Sequence, residues 1–297
     1  DLIAVDALTS VEVDARNVET FTGSVADLNS YRTAFDAGTI VGLRLYAVVT
    51  DDTSAAAADL LTLANPSSGT APDADLTSID TINGSVANVT TLYGLPSGVG
   101  TGVSGLGNET IVLSDTGAVD ATDLSAVGGF TTGTVTVTNA ITISGTADEV
   151  TAALVTADTK VVASTATVTV TDAVGTAVDA TDLSALGGKT AGAVTVTNAI
   201  AISGTADEVT AALVTADTLV SVTDATVVIS DALTVAEVNA IAAKTAGVVT
   251  ASVSDGDMAT LAGLTTASTD VITVTVSDEI GTAVDATDLS ALGGKTA

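Results

Sequence analysis

The chain has no cysteine, no histidine and no tryptophan, one methionine, three prolines and only three each of phenylalanine and tyrosine in 297 residues. Each absence closes a class of function. Without His or Cys there is no Ser-His-Asp or Cys-His nucleophile, no zinc site of the nitrogen and sulfur kind, no histidine-held haem and no disulfide. Cations are also scarce: 7 Lys+Arg stand against 36 Asp+Glu, a formal net charge of -29. A surface of that sign repels nucleic acid and anionic lipid, and so few cations and aromatics form neither a basic stripe nor a stacking platform. Nucleic acid therefore drops out as an expected partner. Thr, Ser, Gly or Asp interrupts every apolar run short of the ~18–20 residues a membrane helix needs, so no membrane span is expected. The opening DLIAVDALTSVEVD has neither a basic n-region nor an initiator Met, and the sequence reads as an excerpt of a longer chain.

What is present is apolar and repetitive. Hydrophobic residues make up 46% of the chain, more than a disordered acidic tail carries, so the chain should fold. Its core must be built from small side chains, which suits stacked repeats better than a globule. The segment VDATDLSALGGKTAGAVTVTNAIAISGTADEVTAALVTADT from Val178 recurs nearly unchanged from Val119, 59 residues earlier, and weaker copies centre on Gly23 and Gly84. Each period of about 60 residues holds two similar halves, a Val/Thr-alternating run followed by a short Ala/Leu-rich run. The alternation of Val194, Val196, Ile200 and Ile202 with Thr and Ala reads as a half-buried strand. Val209, Leu213 and Val214, with Ser203 or Thr205 as cap and Asp207 and Glu208 in the first turn, read as a short helix. Gly187–Gly188, Gly293–Gly294 and Gly247 read as helix stops.

These signals predict an α/β repeat, a solenoid of stacked strand plus short-helix coils with a long parallel sheet on one face. It would be one continuous array over residues 1–297 of about ten units, with irregular loops near 65–78 and 94–108, where all three prolines sit. A βαβ globule with a three-layer sheet is the competing architecture.

Aspartate is the only plentiful reactive side chain. It ends strand after strand, in YAVVTD, IVLSD, VTVTD, VVISD, ASVSD and VTVSD. Calcium, a hard cation that takes carboxylate and carbonyl oxygens, is the metal such residues fit. The candidate ligands are Asp51, Asp52, Asp115, Asp172, Asp231, Asp255, Asp257 and Asp278, with Asp120, Asp179 and Asp285 a few residues on. In-register stacking would line them up as acidic ladders whose repulsion a divalent ion relieves. Ordinary helix N-capping by Ser-Asp or Thr-Asp explains the same recurrence without a metal, and both readings stand at this point. The runs at Thr134 to Thr138, Thr167 to Thr171, Thr195 to Thr197 and Thr273 to Thr275 would turn Thr outward on neighbouring strands, a face able to grip ice or a surface glycan, or simply good strand-forming residues on a wet face. Paired carboxylates also serve glycoside hydrolysis, but every pair here is a repeat copy and no aromatics are available to stack a sugar, so no enzyme is expected.

Units such as VTVTD…VDATDLSALGGKTAGAVTVTNAIAISGTADEVTAAL resemble the Cys-free, low-aromatic, Thr/Val/Ala/Asp-rich arrays of giant bacterial surface proteins: repeat adhesins, surface-layer-like coats and the long cell-surface proteins of marine cyanobacteria, often grouped with haemolysin-type calcium-binding proteins. The resemblance spans the whole chain and is one of composition and repeat style. It implies an extracellular, rod-like structural or adhesive element at the cell surface. Independently of the resemblance, the ends of such an array and the edges of its long sheet are the expected sites of self-assembly, head to tail or lateral, because unpaired strand edges invite pairing unless charged or covered. The nonapeptide calcium repeat of the haemolysin-type proteins is absent.

Overall fold

The computed structural model describes residues 2–41, 47–64, 73–96, 102–156, 159–215 and 220–295. Strands and helices alternate along the chain, and every strand pairing with a given register is parallel. Among the described residues none of the sheets closes into a barrel. Parallel partners cannot be joined by a tight turn, so each strand meets its neighbour only after the chain has passed through the intervening elements. Thr142 accordingly pairs with Thr167, and Val168 with Val194.

The local causes are legible. In the strand Thr167–Val170, Val168 and Val170 are buried while Thr167 is exposed and Thr169 half-buried, the period of two that a pleated ribbon requires. The helix Ala147–Leu154 starts at Thr146, whose hydroxyl accepts the Glu149 N–H while the Glu149 carboxylate accepts the Thr146 N–H, a complete capping box. Its buried face is Ala147, Val150, Ala153 and Leu154, the three- and four-residue spacing of one helical stripe. Removing Val150 and Leu154 from water stabilises by about 1.5–3 kcal/mol each.

The chain divides into two compact units. The first comprises Asp1–Val119, Asp123–Asn139 and Ala157–Val162. In it Thr20–Gly23, Ala47–Thr50, Asp73–Asp75 and Val103–Ser104 form one sheet in that order, and Ser54–Ala56, Thr81–Gly84, Thr110–Leu113, Val135–Val137 and Val161–Val162 form another. Val13–Asp14 pairs separately with Ile40–Val41. The second unit comprises Asp120–Thr122, Ala140–Thr156 and Ala163–Ala297. In it Thr142–Gly145, Thr167–Val170, Val194–Val196 and Val220–Ser221 run side by side, and Ala177–Asp179, Ala201–Gly204, Thr226–Leu233, Val249–Val253 and Val271–Thr273 form a second sheet.

In place of one long sheet there are thus several. The reason is that a period carries more short strands than the Val/Thr runs alone suggest. After Thr167–Val170 the chain turns, makes the strand Ala177–Asp179 and only then enters the helix Ala180–Gly187, so pairing falls into separate ladders. Glycine ends the helices Ala180–Gly187 and Ala286–Gly293, as expected. Gly188 and Gly294 sit in ordinary right-handed conformation at φ -78 and -81. Gly247 is needed for room: a Cβ there would lie 2.3 Å from the Ala225 carbonyl oxygen. Of the expected irregular loops, 65–72 and 97–101 lie outside the described residues.

Candidate functional site

A helix N-terminus leaves N–H groups without partners, and a carboxylate placed there satisfies both the hydrogen bond and the dipole. In six helices the first turn is served twice. The residue just before the helix (Ser24, Ser85, Thr146, Thr205, Thr234 or Asp257) accepts the N–H three positions on. The N–H of the first helical residue is then taken by an aspartate from much later in the chain. Val25 donates to Asp52 at 2.7 Å, Val86 to Asp115 at 2.9 Å and Ala147 to Asp172 at 2.7 Å. Ala206 donates to Asp231 at 2.6 Å, Val235 to Asp255 at 2.8 Å and Met258 to both oxygens of Asp278 at 3.2 and 3.3 Å.

This is where the structure puts most of the strand-end aspartates. Capping was one reading of their recurrence, but the helix they cap is the one 20 to 29 residues earlier, not the one that follows. Asp257 alone among them caps its own helix, accepting the Thr260 N–H at 2.9 Å. Asp51 is exposed and its backbone N–H donates to Gly23. Asp120, Asp179 and Asp285 form a different device: each accepts both the N–H and the hydroxyl of the threonine two residues on. Those hydrogen bonds hold their carboxyls below the ordinary value. Asp182 moves the other way, raised first by burial and then by the charges of Asp179 and Asp148.

Three further partners escaped the sequence reading. The Asn139 side-chain amide donates to the Ser114 and Asp115 carbonyls, and Asn198 donates to the Asp172 carbonyl at 2.7 Å. Thr138 and Thr197 donate their hydroxyls to Leu113 and Val170. The recurrent triplet Thr-Asn-Ala was the available signal. Glycine supplies the third. Cβ atoms built on Gly84, Gly145 and Gly204 would lie 2.9, 2.8 and 3.0 Å from the Cβ of Ala57, Ala121 and Ala180, the first residues of earlier helices. Ordinary van der Waals contact needs more space than that, so the approach requires glycine.

Among the described residues the buried charged side chains are Arg32, Glu109, Asp172 and Asp270. Glu109 is fully buried; Tyr93 donates its hydroxyl to Glu109 Oε2, and the Gly107 N–H donates at 2.9 Å to both carboxylate oxygens. Tyr93 stacks on Phe130 with ring centroids 5.0 Å apart. Among the described residues no group of three or more Asp or Glu side chains is placed around one point so as to hold a metal ion, and no helix is long and apolar enough to cross a membrane. Outward hydroxyls do align across strands: Ser144, Thr169, Thr195 and Ser221 share one register position. Comparison with protein-family models, curated proteins and solved structures finds no match to this chain.

Proposed function

We propose that the chain is a non-catalytic structural protein of the cell exterior: a rod-like solenoid segment, one continuous array of stacked coils, that serves as a coat, filament or spacer on the cell surface. The observation that carries this reading is the set of six aspartates that complete a helix one coil back. Side chains repeated at a fixed place and spent on joining one coil to the next favour a scaffold, in which each repeat mainly serves its neighbours. The same use of carboxylates argues for a calcium role by bridging and screening between copies rather than by an enclosed cage, since a skin at -29 keeps neighbouring molecules apart until cations screen it. Self-association, head to tail or lateral, is supported by strands that stand at a sheet edge among the described residues, such as Val271–Thr273.

Electron microscopy of the purified chain in millimolar calcium and in chelator tests this. Filaments or sheets that form with calcium and dissolve without it are the expected result. Compact globular particles under both conditions would remove the rod, and isolated rods under both would remove the calcium-assembled coat. The aligned hydroxyls of Ser144, Thr169, Thr195 and Ser221 favour one alternative, an adhesive module whose flat Thr/Ser row binds a glycan, a cell surface or ice. Its test is ice recrystallisation and glycan-array binding with Thr169→Val and Thr195→Val.

A further inference from the structure

The helix Met258–Leu261 has four residues, where the two before it, Ala206–Leu213 and Val235–Ala242, have eight each. Past Leu261 the chain tightens: the Gly263 N–H donates to the Thr260 carbonyl at 2.9 Å and the Leu264 N–H to the Leu261 carbonyl at 3.1 Å. Asn239, from the preceding helix, holds this turn, donating to the Gly263 carbonyl and accepting the Thr265 N–H, both at 2.8 Å. The second half of a full-length helix is therefore missing beside Ala242 and Ala243. A cavity of about 210 Å³ opens there, with Ala242, Ala243, Ala246, Thr265, Ala267 and Asp270 among its walls.

Two features make this cavity negative. Asp270 is 3% exposed, and its carboxylate accepts the Val249 N–H at 2.9 Å and the Ala267 N–H at 2.8 Å, one on each oxygen. Among the described residues the ion pairs are those of Arg16 with Glu12 and Asp14 and of Arg32 with Asp36, so no cation of the chain is paired with Asp270. The second feature is the end of the helix Val235–Ala242. The Ala246 N–H goes to the Thr223 carbonyl at 2.7 Å and the Gly247 N–H to the Thr245 hydroxyl at 3.0 Å, which leaves the carbonyls of Ala242 and Ala243 without their helical donors. A helix C-terminus carries partial negative charge and favours a cation.

We propose that this cavity binds a primary alkylammonium group. Three N–H donors on one charge suit a carboxylate and helix-end carbonyls, while the methylenes lie on the alanine walls. A guanidinium needs both carboxylate oxygens open for its fork, and here each already accepts an N–H. Calcium takes six to eight oxygens and usually several carboxylates, and Asp270 is the one carboxylate among the lining residues. A free amine and a lysine side chain of a second copy share this chemistry. The site does not depend on where the chain works or on how it assembles.

The test titrates the chain with n-butylammonium chloride and, in parallel, with the neutral n-butanol, following amide shifts by NMR. Salt at about 0.15 M suppresses diffuse attraction to the acidic surface. Butylammonium should shift Thr265, Ala267 and Asp270 and bind at least about tenfold tighter than butanol. Asp270→Asn should weaken it at least about tenfold. Ala243→Leu, at an exposed position that fills the cavity and leaves Asp270 in place, should abolish it. Equal binding of amine and alcohol, no binding of either, or binding that survives Ala243→Leu would each overturn the site. Calcium chloride shifting the same residues at lower concentration than butylammonium would overturn the ligand class. Shifts at these residues that grow with protein concentration alone, and vanish when the lysines are acetylated, would identify the second copy as the source of the ammonium. Butylammonium binding without such shifts would identify a free amine.

Discussion

The buried carboxylate of Asp172 accepts the N–H of Ala147 at 2.7 Å, across 25 residues of chain, while Asn198 holds the Asp172 carbonyl from the other side. Truncating Asp172 strands the first N–H of a helix in a buried setting, so Asp172→Ala should cost about 1–3 kcal/mol. Asp172→Asn keeps an acceptor and should cost less. Asp51→Ala, at an exposed neighbouring kind of site, should stay within about 0.5 kcal/mol. Urea unfolding monitored by circular dichroism compares the three, and equal effects for Asp172→Ala and Asp51→Ala would remove the capping role.

The Gly84 contact should behave as a lock. Gly84→Ala places a methyl 2.9 Å from the Ala57 Cβ, an overlap that should destabilise by about 1–3 kcal/mol. Combining it with Ala57→Gly restores space, so the double variant should be more stable than the two single effects added together. A thermal-denaturation cycle of the four proteins measures that coupling, and simple additivity would rule it out.

The helices Ala180–Gly187 and Ala286–Gly293 have the same sequence and offer a matched pair. Leu183→Ala empties a fully buried position and should cost about 2–5 kcal/mol, whereas Leu289→Ala at the same sequence position of the other copy should cost about 0.5 kcal/mol or less. Equal losses in chemical denaturation would mean that both copies are packed alike.

Acid should act through the Asp-x-Thr turns. Asp120, Asp179 and Asp285 have folded-state carboxyls held below their ordinary 3.8 by the threonine hydrogen bonds, so what they contribute is present above that value and is lost as pH falls through the lower folded one. Asp182, raised by burial, has the opposite sign: its contribution is present at low pH and lost as pH rises through its folded value. Carboxyl-carbon NMR titration should show Asp179 titrating below Asp182, and Thr181→Val should move Asp179 back up. An Asp179 that titrates with Asp182 would contradict the geometry.

Tyr93 should resist base. Burial, the hydrogen bond to Glu109 and the charge of Glu109, in that order, raise its hydroxyl above the usual tyrosine range. Ultraviolet titration should therefore show Tyr93 ionising only as the chain unfolds, and Tyr93→Phe, which strips one donor from a fully buried carboxylate, should cost at least about 1–3 kcal/mol.

Much of this was readable in the letters. Alternation of Val168 and Val170 with Thr marks strands because side chains alternate faces in any pleated ribbon, and Thr146 with Glu149 marks a helix start because the cap is local. The strand Ala177–Asp179 was not readable, since three residues show no period and its existence depends on pairing with Ala201–Gly204. The aspartates were visible as a recurrence, but their partners were not. Which helix Asp115 or Asp231 serves is decided by parallel register, a long-range fact that no neighbouring residue encodes. The glycine contacts were hidden for the same reason: nothing in the sequence around Gly145 announces that Ala121 lies against it.

The aspartate caps also give the fold a direction. Each is lent backwards, from a later residue to an earlier helix, as Asp231 to Ala206 and Asp255 to Val235 in the second unit. Fraying that begins at the later end uncaps the helix before it, which weakens the next in turn, whereas losing the earlier partner costs the later helix none of its own caps. A chain emerging first residue first would keep each such helix half-finished until some 20 to 29 more residues had followed. Order would then trail the point of emergence by that stretch of chain, always advancing the same way.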